Sequence, residues 1–253
     1  MTDTELRSKL LAAIVDHLRW WLAGDGVHMR RLHQNGKIDP KTLRKIANDY
    51  YVSRGLREGK ESEIAEMLQE RLVDWPGSLK ERAEFVYELA NDAKAVGGSD
   101  KAEQLTNGLQ LSAFSKICWF LHPEGWTMYD KYAQWGLAHP KKSIGFIPFY
   151  EKLDTFDFVE LANKMRGAVR TSKFPSLWPE RIIDKYLMQC GQPETKDFSQ
   201  VSEQADYLAV QNKFFGESFA GNVEALTDEL LKLVKDEPLF AMHTQQTRPV
   251  LPT

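Results

Sequence analysis

Leu6, Leu10, Ile14, Leu18 and Trp21 recur at steps of three and four residues. The same spacing returns at Ile64, Leu68 and Leu72, at Phe158, Leu161, Ala162, Met165 and Val169, and at Val223, Leu226, Leu230 and Leu233. Such a period lays one apolar stripe along a helix and cannot lay one along a strand, where side chains alternate with period two. No segment alternates apolar and polar residues between hairpin signals, so the expectation is an all-α chain.

Punctuation residues divide this pattern into about ten helices. Gly24 and Gly26 are predicted to close the first, leaving 27–38 as a basic connector with an Asn35-Gly36 turn. Asp39-Pro40 reads as an N-cap followed by a first-turn proline, opening a helix that reaches roughly Ser53. Ser78 caps a long helix that ends at Gly97-Gly98, and His139 to Gly145, with Pro148 soon after, reads as loop. Pro179 opens a helix through Ile182, Ile183, Tyr186 and Leu187, ended by Gly191-Gln192-Pro193. Helices near 199–215 and 222–235 follow, and the tail 241–253 is expected to be disordered or loosely draped. The expectation is one domain over 1–253, two lobes with a cleft made by one interwoven chain, around a central helix-turn-helix core at about 101–138.

Bulk properties exclude several classes. No run approaches the roughly 18 apolar residues of a membrane span, and the charged N-terminus does not read as a secretory signal. Cys118 and Cys190 form no metal or redox spacing, so reduced buried thiols in a cytoplasmic protein are expected. His28 and His33 lack the one-turn spacing of helical metal pairs and read as surface residues, and no cofactor or metal motif is present. The net charge of -3 conceals blocks: residues 28–57 carry eight Lys/Arg against two Asp/Glu, and 131–185 carry ten against six. Brought together, these blocks could hold an anionic polymer; as separate solvated faces they would do nothing of the kind.

The stretch Leu111–Ala133, LSAFSKICWFLHPEGWTMYDKYA, is where chemistry concentrates. A helix over 112–121 places Phe114, Ile117, Cys118 and Leu121 on one face and Lys116 on the other, among Ser112, Ser115, Trp119 and Phe120. The helix breaks at His122-Pro123-Glu124-Gly125 and restarts near Tyr129 or Asp130. A lysine beside aromatic rings loses hydration, which favours a neutral nucleophilic amine. An aspartate at a helix start is stabilised as an anion. A snorkelling lysine and a capping aspartate explain the same residues, so both readings stand.

Ser115-Lys116-Ile117 and Met128-Tyr129-Asp130 resemble the lysine end of the hairpin and the aspartate turn of the helix-hairpin-helix DNA glycosylases. The family hairpin usually reads leucine-proline-glycine-valine-glycine; here the matching Leu111-Ser112-Ala113-Phe114-Ser115 has no glycine. The resemblance implies an all-α fold of that type, acting as a monomer on duplex DNA with an extruded base, in repair or in defence against phage DNA. It implies Lys116 as nucleophile at the sugar C1′ and Asp130 as the carboxylate that stabilises the oxocarbenium ion. Trp126, Tyr129 and Trp119 would stack on the base or fill its gap. Lys131 would join them, and Ser112, Ser115, Lys141, Lys142, Arg166, Arg170 and Lys173 would meet the DNA backbone. The alternative is a non-catalytic helical module for nucleic acid or protein on the same scaffold.

Overall fold

A computed structural model gives the fold and describes residues 2–32, 37–98, 100, 103–138, 142–192, 208–213 and 215–242. All regular structure among them is helical, with one isolated antiparallel bridge between Leu56 and Thr106. The chain divides into two compact units that share it alternately. Met1–Arg19, Lys131–Ser143 and Thr155–Thr253 form the terminal unit, and Trp20–Asp130 with Ile144–Asp154 form the central unit. No described helix is long and apolar enough to cross a membrane. Lys141, His33, residues 199–207 and most of the 241–253 tail lie outside the described residues.

The first correction concerns Gly24 and Gly26. Helix α1 (Asp3–Trp20) does not stop there but runs through a π-helical turn, Trp21–Asp25, into α2 (Gly26–Leu32). Gly26 keeps helical dihedrals, and a Cβ on it would fall 2.9 Å from the Trp21 ring. Its missing side chain makes room for an indole instead of releasing the chain. His28, expected at the surface, is therefore on a helix and buried, with Nε2 2.7 Å from Asp49 Oδ2.

The caps behave as their chemistry dictates. Asp39 accepts from the Thr42 N–H at 2.9 Å and Pro40 opens α3 (Pro40–Asp49), which ends earlier than Ser53 at a left-handed Tyr51. Ser78 and Glu81 form a reciprocal capping box at the head of α5 (Leu79–Ala95), with α4 (Glu61–Arg71) preceding it. In the central unit α6 (Leu111–Leu121) packs on α2, α3 and α5, and α8 (Phe146–Asp154) packs on α5. The sequence pattern gives no sign of α8 because Pro148 reads as a breaker, but a proline in a first turn removes an N–H that has no intrahelical partner anyway.

In the terminal unit α7 (Lys131–Leu137) crosses α10 (Pro179–Gly191) at near-backbone contact. A Cβ on Gly136 would fall 1.9 Å from the Leu187 carbonyl oxygen, and one on Gly191 1.9 Å from that of Tyr132. Helix α9 (Phe158–Thr171) packs on α10 and on α11 (Phe219–Val234), before the short α12 (Pro238–Ala241). The buried stripe of α11 ends on Val234, with Leu233 only half-buried.

Candidate functional site

Helix α6 is not amphipathic in its surroundings: every residue from Ala113 to Leu121 is buried. Trp119 and Phe120, expected beside the polar face, are as inaccessible as Phe114 and Ile117. Lys116 is 5% exposed, so it does not snorkel to solvent. Its ammonium is held inside the central unit, donating to Ser112 Oγ at 2.6 Å and to the Tyr129 carbonyl oxygen at 3.3 Å.

The turn after α6 explains how Tyr129 comes back to Lys116. Gly125 adopts a left-handed conformation, φ 68°, which reverses the chain. Arg82 of α5 donates to the Gly125 carbonyl at 2.6 Å and the Glu124 carbonyl at 3.2 Å, and Trp75 stacks on His122 with centroids 4.8 Å apart. The returning strand of chain is then pinned along α6. Trp126 Nε1 donates to the Ser115 carbonyl at 3.0 Å, and the Tyr129 N–H donates to Ser115 Oγ at 3.0 Å. Tyr150 Oη donates to the Thr127 carbonyl at 2.8 Å from α8. Asp130, half-buried, follows Tyr129 directly and precedes α7, so the lysine ammonium lies at the peptide group that joins Tyr129 to Asp130.

Several expected site residues have other employment. Trp126 is fully buried, stacked on Tyr150 at 4.2 Å and edge-on to Trp75 at 5.6 Å, so it is core and presents no face for a base. Trp119 is likewise fully buried against Phe120. Tyr129 is half-buried, its hydroxyl donating to the Ile144 carbonyl at 2.8 Å and its ring edge-on to Phe146 and Phe149. Ser115 is fully buried and turned inward, where it cannot reach a phosphate, and the half-buried Ser112 donates to the Tyr129 carbonyl at 3.2 Å. These serines organise the lysine and the turn.

In the terminal unit Lys131 is exposed, with its ammonium 4.3 Å from the Trp135 ring centroid. Lys142, Arg170 and Lys173 are exposed as well. Arg166 is not: it is 8% exposed and paired with the buried Glu180 at 2.5 Å, which removes it from any phosphate role.

That pair belongs to a buried ionic cluster that sequence reading missed. Arg181 pairs with Asp184 along α10, and Lys185 Nζ lies 2.6 Å from Asp16 Oδ2 of α1. His17 Nε2 accepts from the Trp178 N–H at 3.0 Å. Burial, with Arg181 next, lowers the Lys185 pKa, and burial with both cations holds His17 well below the ordinary histidine value. Ile182, Ile183, Tyr186 and Leu187 make the apolar stripe of α10, which leaves Glu180, Arg181, Asp184 and Lys185 looking like a solvent face. The one available signal was the opposite charges at helical spacing, matched by Asp16 and Arg166 on separate helices. Each charge is answered by a partner, so the cluster ties α1, α9 and α10 together.

Cys118 and Cys190 are buried and in no disulfide, and burial pushes the Cys118 thiol far up, which makes it inert. No group of three metal-ligating side chains occurs among the described residues. No family model matches the chain, and neither a curated protein nor a solved structure shows a match to it.

Proposed function

We propose that the chain is a DNA N-glycosylase that excises a damaged or modified base, with Lys116 and Asp130 as its chemical pair. The observation that carries this reading is the contact of the Lys116 ammonium with the Tyr129 carbonyl, at 3.3 Å, which puts the lysine beside the residue preceding α7. A helix, a glycine turn and a second helix start thus bring the lysine to the backbone that leads into Asp130, and the resemblance of Ser115-Lys116-Ile117 and Met128-Tyr129-Asp130 implies that the two side chains act together. In the reaction, Lys116 as free amine bonds to C1′ while the glycosidic bond breaks and the base leaves with its electron pair. Loss of a proton and ring opening then give a Schiff base that permits strand cleavage. The Asp130 carboxylate stabilises the positive charge that develops on the sugar. Lys142, Arg170 and Lys173 are exposed cations suited to phosphates.

A non-catalytic helical binding module is the second reading, and one observation favours it. Lys116 is buried and already donates to Ser112 Oγ and a backbone carbonyl, and Trp119 and Trp126 are sealed in the core. Borohydride trapping on duplex DNA carrying altered bases separates the two. A covalent adduct lost in Lys116→Ala supports the lyase form. Base release that survives Lys116→Ala but not Asp130→Asn indicates a glycosylase without lyase activity. Absence of both adduct and base release across a panel of damaged and hypermodified DNA leaves the binding module.

A further inference from the structure

The basic segment 28–57 ends in a cavity of about 400 Å³ in the central unit. Arg44, Ser53, Arg54, Arg57, Lys60 and Asn107 line it, with Leu56 as its apolar wall and Glu58 as its one carboxylate. The cations are not equivalent. Arg44 is paired with Glu61 at 3.3 Å, and Lys60 with Glu63 at 3.2 Å and Glu103 at 3.4 Å. Arg54 and Arg57 have no carboxylate within ion-pair distance among the described residues. Arg57 Nε is in addition shielded from solvent without a hydrogen-bond partner among them. A shielded guanidinium N–H with no acceptor is an unfavourable arrangement.

The backbone under these two arginines is held from both sides. The Arg57 N–H donates to the Leu105 carbonyl at 3.0 Å, and the Asn107 N–H to the Gly55 carbonyl at 2.8 Å. Asn107 Nδ2 donates to the Arg54 carbonyl at 3.0 Å, and Leu56 bridges Thr106. Gly55 leaves room for the Gln110 side chain, since a Cβ there would fall 2.0 Å from Gln110 Oε1. Two guanidinium forks with no carboxylate partner among the described residues, on a fixed clasp beside a serine hydroxyl and an asparagine amide, match the planar, multidentate recognition of a phosphate. No aromatic ring lines the cavity, so charge and hydrogen bonding are what it offers, without base stacking.

We infer that Arg54 and Arg57, with Ser53 and Asn107, form a binding site for a phosphate group, carried by a small phosphorylated molecule or by a nucleic-acid backbone. The site does not depend on the glycosylase reading of Lys116 and Asp130. Calorimetric titration of the full chain with inorganic phosphate, and in a second arm with a short single-stranded oligonucleotide, tests it at low salt. Saturable phosphate binding is expected, weakened about tenfold or more in Arg54→Gln and abolished in Arg54→Gln with Arg57→Gln. Arg54→Lys, which keeps charge and loses the fork, should fall between. If the oligonucleotide binds, inorganic phosphate displaces it and the same variants weaken it, the nucleic-acid backbone is the source. Response to phosphate alone assigns a small molecule. Circular dichroism checks folding, and Arg54→Gln, on an exposed side chain, carries the test should Arg57→Gln fail to fold. Wild-type protein that binds neither probe, or folded variants that bind both as tightly as wild type, overturns the assignment.

Discussion

Lys116 Nζ and the Tyr129 carbonyl oxygen lie 3.3 Å apart although the two residues are thirteen positions apart in sequence. The contact exists because Ser115 and Ser112 of the same helix hold the returning chain, one through its hydroxyl at the Tyr129 N–H and the other at the Tyr129 carbonyl. Lysine and turn therefore stabilise each other. Lys116→Met, which keeps the stem and removes the ammonium, is expected to destabilise the protein by about 1–3 kcal/mol. A double-mutant cycle with Ser112→Ala should give a coupling of about 0.5–3 kcal/mol in urea unfolding. Strictly additive effects would show that the 2.6 Å contact between Lys116 and Ser112 contributes nothing.

Ser115 is the more demanding position. Its hydroxyl is buried, accepts from the Tyr129 N–H at 3.0 Å and donates to the Ser112 carbonyl at 3.1 Å. Ser115→Ala leaves a backbone donor without its acceptor and should cost about 1–3 kcal/mol. Trp126→Phe, which loses the Nε1 bond to the Ser115 carbonyl and some ring area, should cost at least about 1 kcal/mol. Thermal unfolding of both variants measures this, and an unchanged Tm for Ser115→Ala would contradict the inward placement of its hydroxyl.

Close backbone crossing makes Gly136 and Gly191 sensitive. A methyl group on either would overlap a carbonyl oxygen at 1.9 Å, a position that a side-chain rotation cannot relieve. Gly136→Ala and Gly191→Ala are each expected to destabilise by about 1–3 kcal/mol or more through separation of α7 from α10. Gly167→Ala serves as the control, since a Cβ on this residue of α9 would meet nothing within 4 Å. Loss of soluble, cooperative unfolding in the first two but not the third is the expected result.

The pH dependence of stability follows from His17. Its Nε2 accepts a hydrogen bond, so the folded imidazole is neutral, and burial followed by Arg181 and Lys185 lowers its pKa well below 6.5. In the unfolded chain the ring takes up a proton near the ordinary value, whereas the folded one does not. The contribution is therefore complete above pH 6.5 and declines as pH falls below it. The decline is up to about 1.4 kcal/mol per pH unit until the folded-state value is reached. Tm recorded between acidic and neutral pH should fall less steeply in His17→Gln, which keeps an acceptor and does not titrate. Equal slopes would assign the acid sensitivity to other groups.

The sequence by itself determined most of the helices and several of their ends. Asp39, Ser78 with Glu81, Pro179 and Gly97-Gly98 act on backbone groups a few residues away, so their effect is written locally. The tertiary structure alone decided what each helix face meets. Gly26 became a seat for Trp21 inside a continuous helix, and Pro148 a first-turn residue of α8. The apparent solvent face of α10 became a buried set of ion pairs, because its partners Asp16 and Arg166 come from helices distant in sequence. Lys116 was legible as the singular residue of its helix, and its convergence on the Tyr129–Asp130 turn was legible as a possibility. Its burial was not, since it depends on Ser112, Arg82, Trp75 and Tyr150 acting together. Local hydrogen bonding fixes an element, whereas burial is a property of all the elements that surround it, and no single stretch of chain encodes it.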